Sequence, residues 1–258
     1  MEKIFLQIRE RARQIVSTYP RQPFYQENDH AVQQSRNLFD EHPVIKKLID
    51  LVEQNMTNNL GHGMDHAIKV TLDAGALMFI EGTSAGYGES RIHRYVFLAQ
   101  CAGLLHDVKR SQKQHAEKGA VFVKKTLDSW DSFAPEEVVC IACAIQNHEA
   151  FTKQKPSKTI ENELVSNCLY DADKFRWGPD NFMYTVWDMI ESAGVPFTEF
   201  VNHYPKGMLA LQKIRTSFRT KTGMKYGPQF IDTGLAIGRE LYEVMQREFA
   251  IPAGEKPM

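Results

Sequence analysis

Histidine and aspartate recur in this sequence at the ends of apolar runs, where neither is cheap to place. His106 and Asp107 close the run Ala102-Gly103-Leu104-Leu105, and His66, in Gly61-His62-Gly63-Met64-Asp65-His66, directly precedes an apolar stretch. His148 follows Ile141, Ala144 and Ile145 at helical spacing, so it shares their core-facing side. Asp171 and Asp173 end a segment whose interior includes Leu164, Val165, Cys168 and Leu169. An ionised aspartate costs several kcal/mol to bury without a partner, and a buried neutral histidine needs hydrogen bonds. Such groups satisfy one another when they share a divalent cation. Imidazole nitrogen with carboxylate oxygen suits Mn, Fe, Co, Ni or Zn, whereas Mg prefers more oxygen. Neighbours on an ideal helix point about 100° apart, so His106 and Asp107 reach one ion only at a helix end or in a distorted turn. Spacing does not choose between Asp171, stacked behind Leu164 and Cys168, and Asp173, stacked behind Val165 and Leu169.

The elements that must position these groups read as helices nearly throughout. Phe5, Ile8, Ala12 and Ile15 mark one face of a first helix that Pro20 ends, and a polar stretch rich in Gln and Asn follows. Pro43 suits the first position of a helix carrying Val44, Ile45, Leu48, Leu51 and Val52. Asn58 to Gly61 reads as a turn, a helix is expected over about 62–80, and the Gly-rich segment 81–90 reads as a loop. The next helix, about 91–107, is apolar on almost every side in its second half and should be the central buried one. Further helices are expected over about 114–128, 135–149, 160–175, 180–193, 197–218 and 228–248. No segment alternates with period two, so the expected class is all-α.

The ordered set of His66, His106-Asp107 and Asp173 in Ala172-Asp173-Lys174 resembles the H…HD…D pattern of the HD-domain superfamily of metal-dependent phosphohydrolases. The resemblance covers about residues 60–175. It implies an HD-domain helical core over 60–178, with an N-terminal helical extension (1–59) and a C-terminal helical lobe (179–258) packed on it as one unit. It also implies that these four residues hold a catalytic metal, and it selects Asp173 over Asp171. His115 and His148 look like the additional histidines of binuclear HD subgroups, where a second ion is bridged by the aspartate of the HD pair, here Asp107. The cyclic-dinucleotide type is disfavoured, because no Gly-Tyr-Pro triplet and no His-His pair at His148 are present.

The implied function is hydrolysis of a phosphoester or phosphoanhydride, most simply of a nucleotide, by water that the ion activates. In this reading Asp107 also positions the water, and Lys109 neutralises charge on the phosphoryl oxygens, with Arg110 beside it. His62, Arg110 and Arg176 are further candidate substrate contacts. Two alternatives stand beside it: a di-iron oxygenase of the HD type, and a metal-containing nucleotide-binding module without turnover.

Composition excludes little but is consistent. A net charge of −1 over 258 residues advertises neither nucleic acid nor a membrane surface as partner. The start, Met1 to Phe5, lacks the pattern of a signal peptide, and no apolar run reaches the ~18 residues of a membrane span. Cys140 and Cys143 form a lone CxxC inside an apolar run, which reads as small buried helix residues. A cytoplasmic protein with a small phosphorylated substrate is therefore expected, with self-association left open. Two basic stretches, Lys153 to Lys158 and Lys206 to Lys225, suggest a lid near the site mouth and a solvated helix face.

Overall fold

The computed structural model describes residues 3–55 and 63–249, and these residues form α-helices with one π-helical turn and no strand. Helix α1 (Lys3–Thr18) turns Phe5, Ile8, Ala12 and Ile15 inward. The polar stretch beyond Pro20 is also helical, as α2 (Pro23–Glu27) and α3 (Asp29–Glu41). There a stripe of only Ala31, Ser35 and Phe39 is buried, too sparse to stand out in a Gln-rich sequence. Helix α4 (Pro43–Asn55) buries Val44, Ile45, Leu48 and Val52.

The centre is α5 (Met64–Ser84) packed along α6 (Glu89–Leu105). Both are buried on most sides, and α6 is wholly buried from Val96 to Leu105. Helix α5 runs four residues past its expected end, because Glu81 and Gly82 are packed inside, which shortens the expected loop to the turn before Glu89. Around this pair lie α7 (His115–Leu127), α8 (Pro135–Gln146) and α9 (Ile160–Phe175). A π-helical turn, Asn181–Thr185, then leads into α10 (Val186–Ala193), α11 (Phe197–Ile214) and α12 (Lys221–Glu248). Helix α12 starts about two turns earlier than expected: the Thr220 side chain accepts from Gly223 N and caps it, and Pro228 lies inside the helix.

Residues from all three expected segments share one buried apolar cluster running from Phe5 to Met245. Phe5 meets the rings of Phe197 and Phe200 edge-on at 5.8 and 5.5 Å, and Arg11 Nε donates to Glu248 at 2.8 Å, so the first and last helices lie together. No helix among the described residues is long and apolar enough to cross a membrane.

The α5–α6 crossing is close because Gly103 faces Thr71. A Cβ on Gly103 would lie 2.7 Å from the Thr71 Cα, where only backbone could yield. Ser35 Oγ donates to Leu72 O at 2.7 Å, and Gln100 Nε2 donates to Ser35 O at 2.7 Å, tying α3, α5 and α6 at the same level. Gly103→Ala is expected to push the two helices apart and to cost about 1–3 kcal/mol by overpacking. Urea denaturation reads this as a lower midpoint at constant slope; an unchanged midpoint would show slack in the crossing.

Candidate metal centre

Five helix ends converge on one buried region. His66 is in the first turn of α5, His115 is the first residue of α7, and Asp173 is in the last turn of α9. His106 caps the C-terminus of α6 and Asp107 follows in a run of turns, while His148 lies just past the end of α8. The expected helix over 91–107 thus stops at Leu105. His106 keeps helical dihedrals (φ −58°, ψ −37°), and Asp107 follows it in the run of turns at the helix end, where the sequence required the pair to lie.

The ring nitrogens and carboxylates face one another at short range. His66 Nε2 lies 3.3 Å from His106 Nε2 and 3.3 Å from Asp173 Oδ1, and His106 Nε2 lies 3.8 Å from the same oxygen. His106 Nε2 is also 3.3 Å from Asp107 Oδ2. The other oxygen, Asp107 Oδ1, lies 3.3 Å from His115 Nε2 and 3.4 Å from His148 Nε2, which are 3.3 Å from each other. Asp107 therefore presents one oxygen to the His66–His106–Asp173 group and one to the His115–His148 pair.

Tautomers follow from the far sides of the rings. His106 Nδ1 is 2.7 Å from Gly103 O and His148 Nδ1 is 2.6 Å from Ile145 O. A carbonyl can only accept, so Nδ1 carries the proton in each and Nε2 turns a lone pair inward. His115 is arranged alike, with Nδ1 3.0 Å from Glu149 Oε1 and Nε2 accepting from Arg110 Nη1 at 2.9 Å. Inward lone pairs at van der Waals distance from carboxylate oxygens repel unless a proton or a metal ion stands among them. His66, His106 and Asp173, and likewise His106, Asp107 and His148, offer donor atoms all within 4.8 Å of one another. The donor set, imidazole Nε2 oriented by carbonyl or carboxylate at Nδ1, is one that could hold a metal ion.

Electrostatics agree. Burial opposes charge on His106, which is fully enclosed, yet the Asp107 and Asp173 carboxylates prevail and raise its pKa. Burial likewise opposes ionisation of Asp107, but His106, His115 and His148 hold it well below the usual carboxylate range. Asp173 is held equally low against burial by Lys174, His66 and His106. Burial lowers the pKa of His148 and keeps that ring neutral.

Comparisons of the chain with family models, curated proteins and solved structures gave no match. What the molecule itself provides is a set of buried His and Asp groups able to hold a metal ion.

The remaining sequence candidates fall in different places. Asp171 points the other way from Asp173. It accepts from Arg219 N at 2.9 Å, Thr220 N at 2.8 Å and Thr220 Oγ1 at 2.8 Å, anchoring the start of α12. Burial pushes its pKa up to about 6 against those donors. Arg110 reaches the centre, with Nη1 3.8 Å from Asp107 Oδ1 and its side chain 27% exposed. Lys109 does not join it: the ammonium sits over the Phe122 ring, 3.9 Å from the centroid. Arg176 is buried and bound to Asp73, Asp180 and the Tyr25 hydroxyl. His62 lies outside the described residues.

Four contributors escaped the sequence reading. Lys174 is buried beside the centre, where its Nζ binds Asp173 Oδ2 and donates to His148 O at 3.0 Å. Glu149 orients His115, and Asn147 exchanges hydrogen bonds with the Lys155 backbone at 2.8 and 2.9 Å. Arg219 Nη1 donates to Asn147 O at 2.9 Å, and its guanidinium also contacts Gln154. The segment expected as a lid is thereby tied down at Gln154 and Lys155. Only the adjacency of Lys174 to Asp173 and of Glu149 to His148 hinted at the first two.

Asp173→Asn is expected to weaken metal binding beyond the roughly 10- to 100-fold typical of losing an outer partner, with the fold retained. Asp171→Ala should instead cost about 1–3 kcal/mol of stability through lost hydrogen bonds, with metal affinity largely kept; metal analysis beside denaturation separates them. Metal uptake should also expel on the order of one proton, since the ion needs a neutral ring and the raised pKa of His106 favours its charged form. Affinity then climbs as pH rises through that value. Calorimetric titration in buffers of different ionisation enthalpy measures the proton, and a buffer-independent heat would refute the prediction.

Proposed function

We propose that the chain is a metal-dependent phosphohydrolase acting on a small phosphorylated substrate, with His66, His106, Asp107 and Asp173 as ligands of a divalent transition metal. The observation that carries this reading is the meeting of inward Nε2 lone pairs with the carboxylates of Asp107 and Asp173 in a largely buried space. The same four residues, in the same order, carry the resemblance to HD-type phosphohydrolases. The division of Asp107 between two histidine groups favours room for a second ion on the side of His115 and His148. A nucleoside phosphate as substrate is part of the proposal on resemblance alone.

A divalent ion held there by these residues would lower the pKa of its water toward about 7 and polarise a phosphoryl oxygen. The chain does the rest by position and charge. Asp107, held well below the usual carboxylate range, is too weak a base to take the proton efficiently at neutral pH, so it serves as ligand and orients the attacking water. Arg110 approaches from the partly open side and neutralises charge growing on the phosphoryl oxygens. Lys174 holds Asp173 ionised and, through the His148 carbonyl, ties that ligand to the other half of the centre.

Metal-reconstituted protein should hydrolyse members of a panel of p-nitrophenyl phosphates, nucleotides, dinucleoside polyphosphates and cyclic dinucleotides, read as p-nitrophenol, phosphate or nucleotide products. Chelation and Asp107→Ala should each abolish it. Arg110→Ala should lower kcat by about 10- to 1000-fold with metal content unchanged, while Lys109→Ala changes it little. Loss in Lys109→Ala but not in Arg110→Ala would reverse the assignment. Oxygen uptake without phosphate release would replace hydrolysis by oxygenase chemistry.

A further inference from the structure

A cleft of about 280 Å³ opens beside His66, between the first turns of α5 and the π-helical turn ahead of α10. Its wall includes Asp65, Lys69, Arg176, Asp180, Tyr184 and Asp188. This is smaller than the ~300–1,000 Å³ of sites for drug-sized ligands, and suits one ring-sized group.

The charge of this wall is opposite to what a phosphate needs. Both of its cations are already bound to carboxylates. Lys69 Nζ donates to Asp180 Oδ1 at 3.0 Å and lies 4.2 Å from the centroid of the Tyr184 ring. Arg176 binds Asp180 through Nη1 and Asp73 through Nη2, the latter behind the wall, where the Tyr25 hydroxyl accepts from Nη2 at 2.6 Å. Asp188 faces Arg9 at 3.7 Å, and Asp65 is exposed in the first turn of α5. The wall is thus electrically negative, rich in hydrogen-bond acceptors and bordered by one aromatic ring. The partly exposed cation of the centre, Arg110, lies on the His115 side instead.

We propose that this cleft seats the leaving group of a phosphate monoester, an uncharged hydroxyl-bearing ring such as a sugar, and rejects a leaving group that is itself a phosphate. The proposal rests on the phosphohydrolase reading and narrows it from esters or anhydrides to esters. The substrate then lies across the centre in one direction, with phosphate toward Arg110 and hydroxyls toward Asp65, Asp180 and Asp188. Carboxylates accept from those hydroxyls, and Tyr184 packs on the C–H face. The leaving group of an anhydride would bring further negative charge against the same carboxylates.

The test uses the full chain loaded with metal. Values of kcat/KM for ribose 5-phosphate and nucleoside 5′-monophosphates are compared with those for inorganic pyrophosphate and tripolyphosphate. A preference for the esters of at least about 100-fold is expected (~2.7 kcal/mol). Asp65→Lys, an exposed position, should narrow it at least about tenfold by favouring the anhydrides. Anhydrides hydrolysed as well as esters, or a ratio untouched by Asp65→Lys, overturns the proposal while leaving the phosphohydrolase standing. Saturation-transfer NMR with free D-ribose separates the two readings: contacts in wild type that vanish in Tyr184→Ala support the cleft even if no phosphate is released from any substrate. Absent contacts together with absent turnover overturn both.

Discussion

Two ionised aspartates sit almost out of reach of bulk water, and the rest of the molecule is arranged around that fact. Asp107 and Asp173 are almost wholly buried, and an isolated carboxylate in such a place would take up a proton rather than stay charged. Here both are held charged, by imidazoles from four helix ends and by one buried lysine. Without an ion, that balance requires at least one histidine to carry a proton, and His106 is the one whose surroundings favour it. With an ion, the proton leaves and the same donors close on a metal. The helix arrangement thus makes the centre a site where proton and metal compete for one set of lone pairs.

Holding the donors in place falls to groups that never face the centre. Gly103 lets α5 and α6 approach closely enough for His66 and His106 to meet. Asp73, two turns beyond His66 on α5, binds Arg176, one turn beyond Asp173 past the end of α9, so the helices that supply these two ligands are clamped a second time. Asp171 does similar work on the opposite side of α9 by fixing the start of α12. The extension and the C-terminal helices therefore brace the frame of the site: Tyr25 of α2 completes the Arg176 clamp, and Arg219 holds the segment after His148.

How much of this the residues foretold depends on the kind of signal each carries. Helices with a continuous apolar face, such as α1 and α4, or with near-complete burial, such as α6, are readable because periodicity reports burial directly. Helix α3 is not, since three small or isolated inward residues among Gln and Asn leave almost no period. The early start of α12 is hidden by Pro228, which reads as a boundary but is accommodated within the helix. In the site, the meeting of His66, His106 and Asp107 follows from polar groups at the ends of apolar runs. The choice between Asp171 and Asp173 does not, because both are buried on α9 and only their partners, α12 for one and the histidines for the other, distinguish them. Lys109 and Arg110 show the same limit: adjacent cations after one motif, of which only the second reaches the carboxylate.

The direction of the helices also bears on why a cation belongs here. Helices α6, α8 and α9 all bring their C-terminal ends to the centre, and a helix C-terminus carries partial negative charge and carbonyls without intrahelical partners. Two of those carbonyls, Gly103 O and Ile145 O, each three residues before a ligand histidine, receive the Nδ1 proton and turn Nε2 inward. One feature of helix geometry thereby meets two needs: it engages a helix-end carbonyl and sets a histidine tautomer. The N-terminal ends of α5 and α7 oppose this field, but there the chain supplies histidines, which bind as neutral donors and suffer little from it. An anion would meet three negative helix ends and two aspartates; a divalent cation meets the same groups as attraction. The partly exposed cation that an anion would meet beside Asp107 is Arg110, whose Nη1 lies 3.8 Å from Asp107 Oδ1.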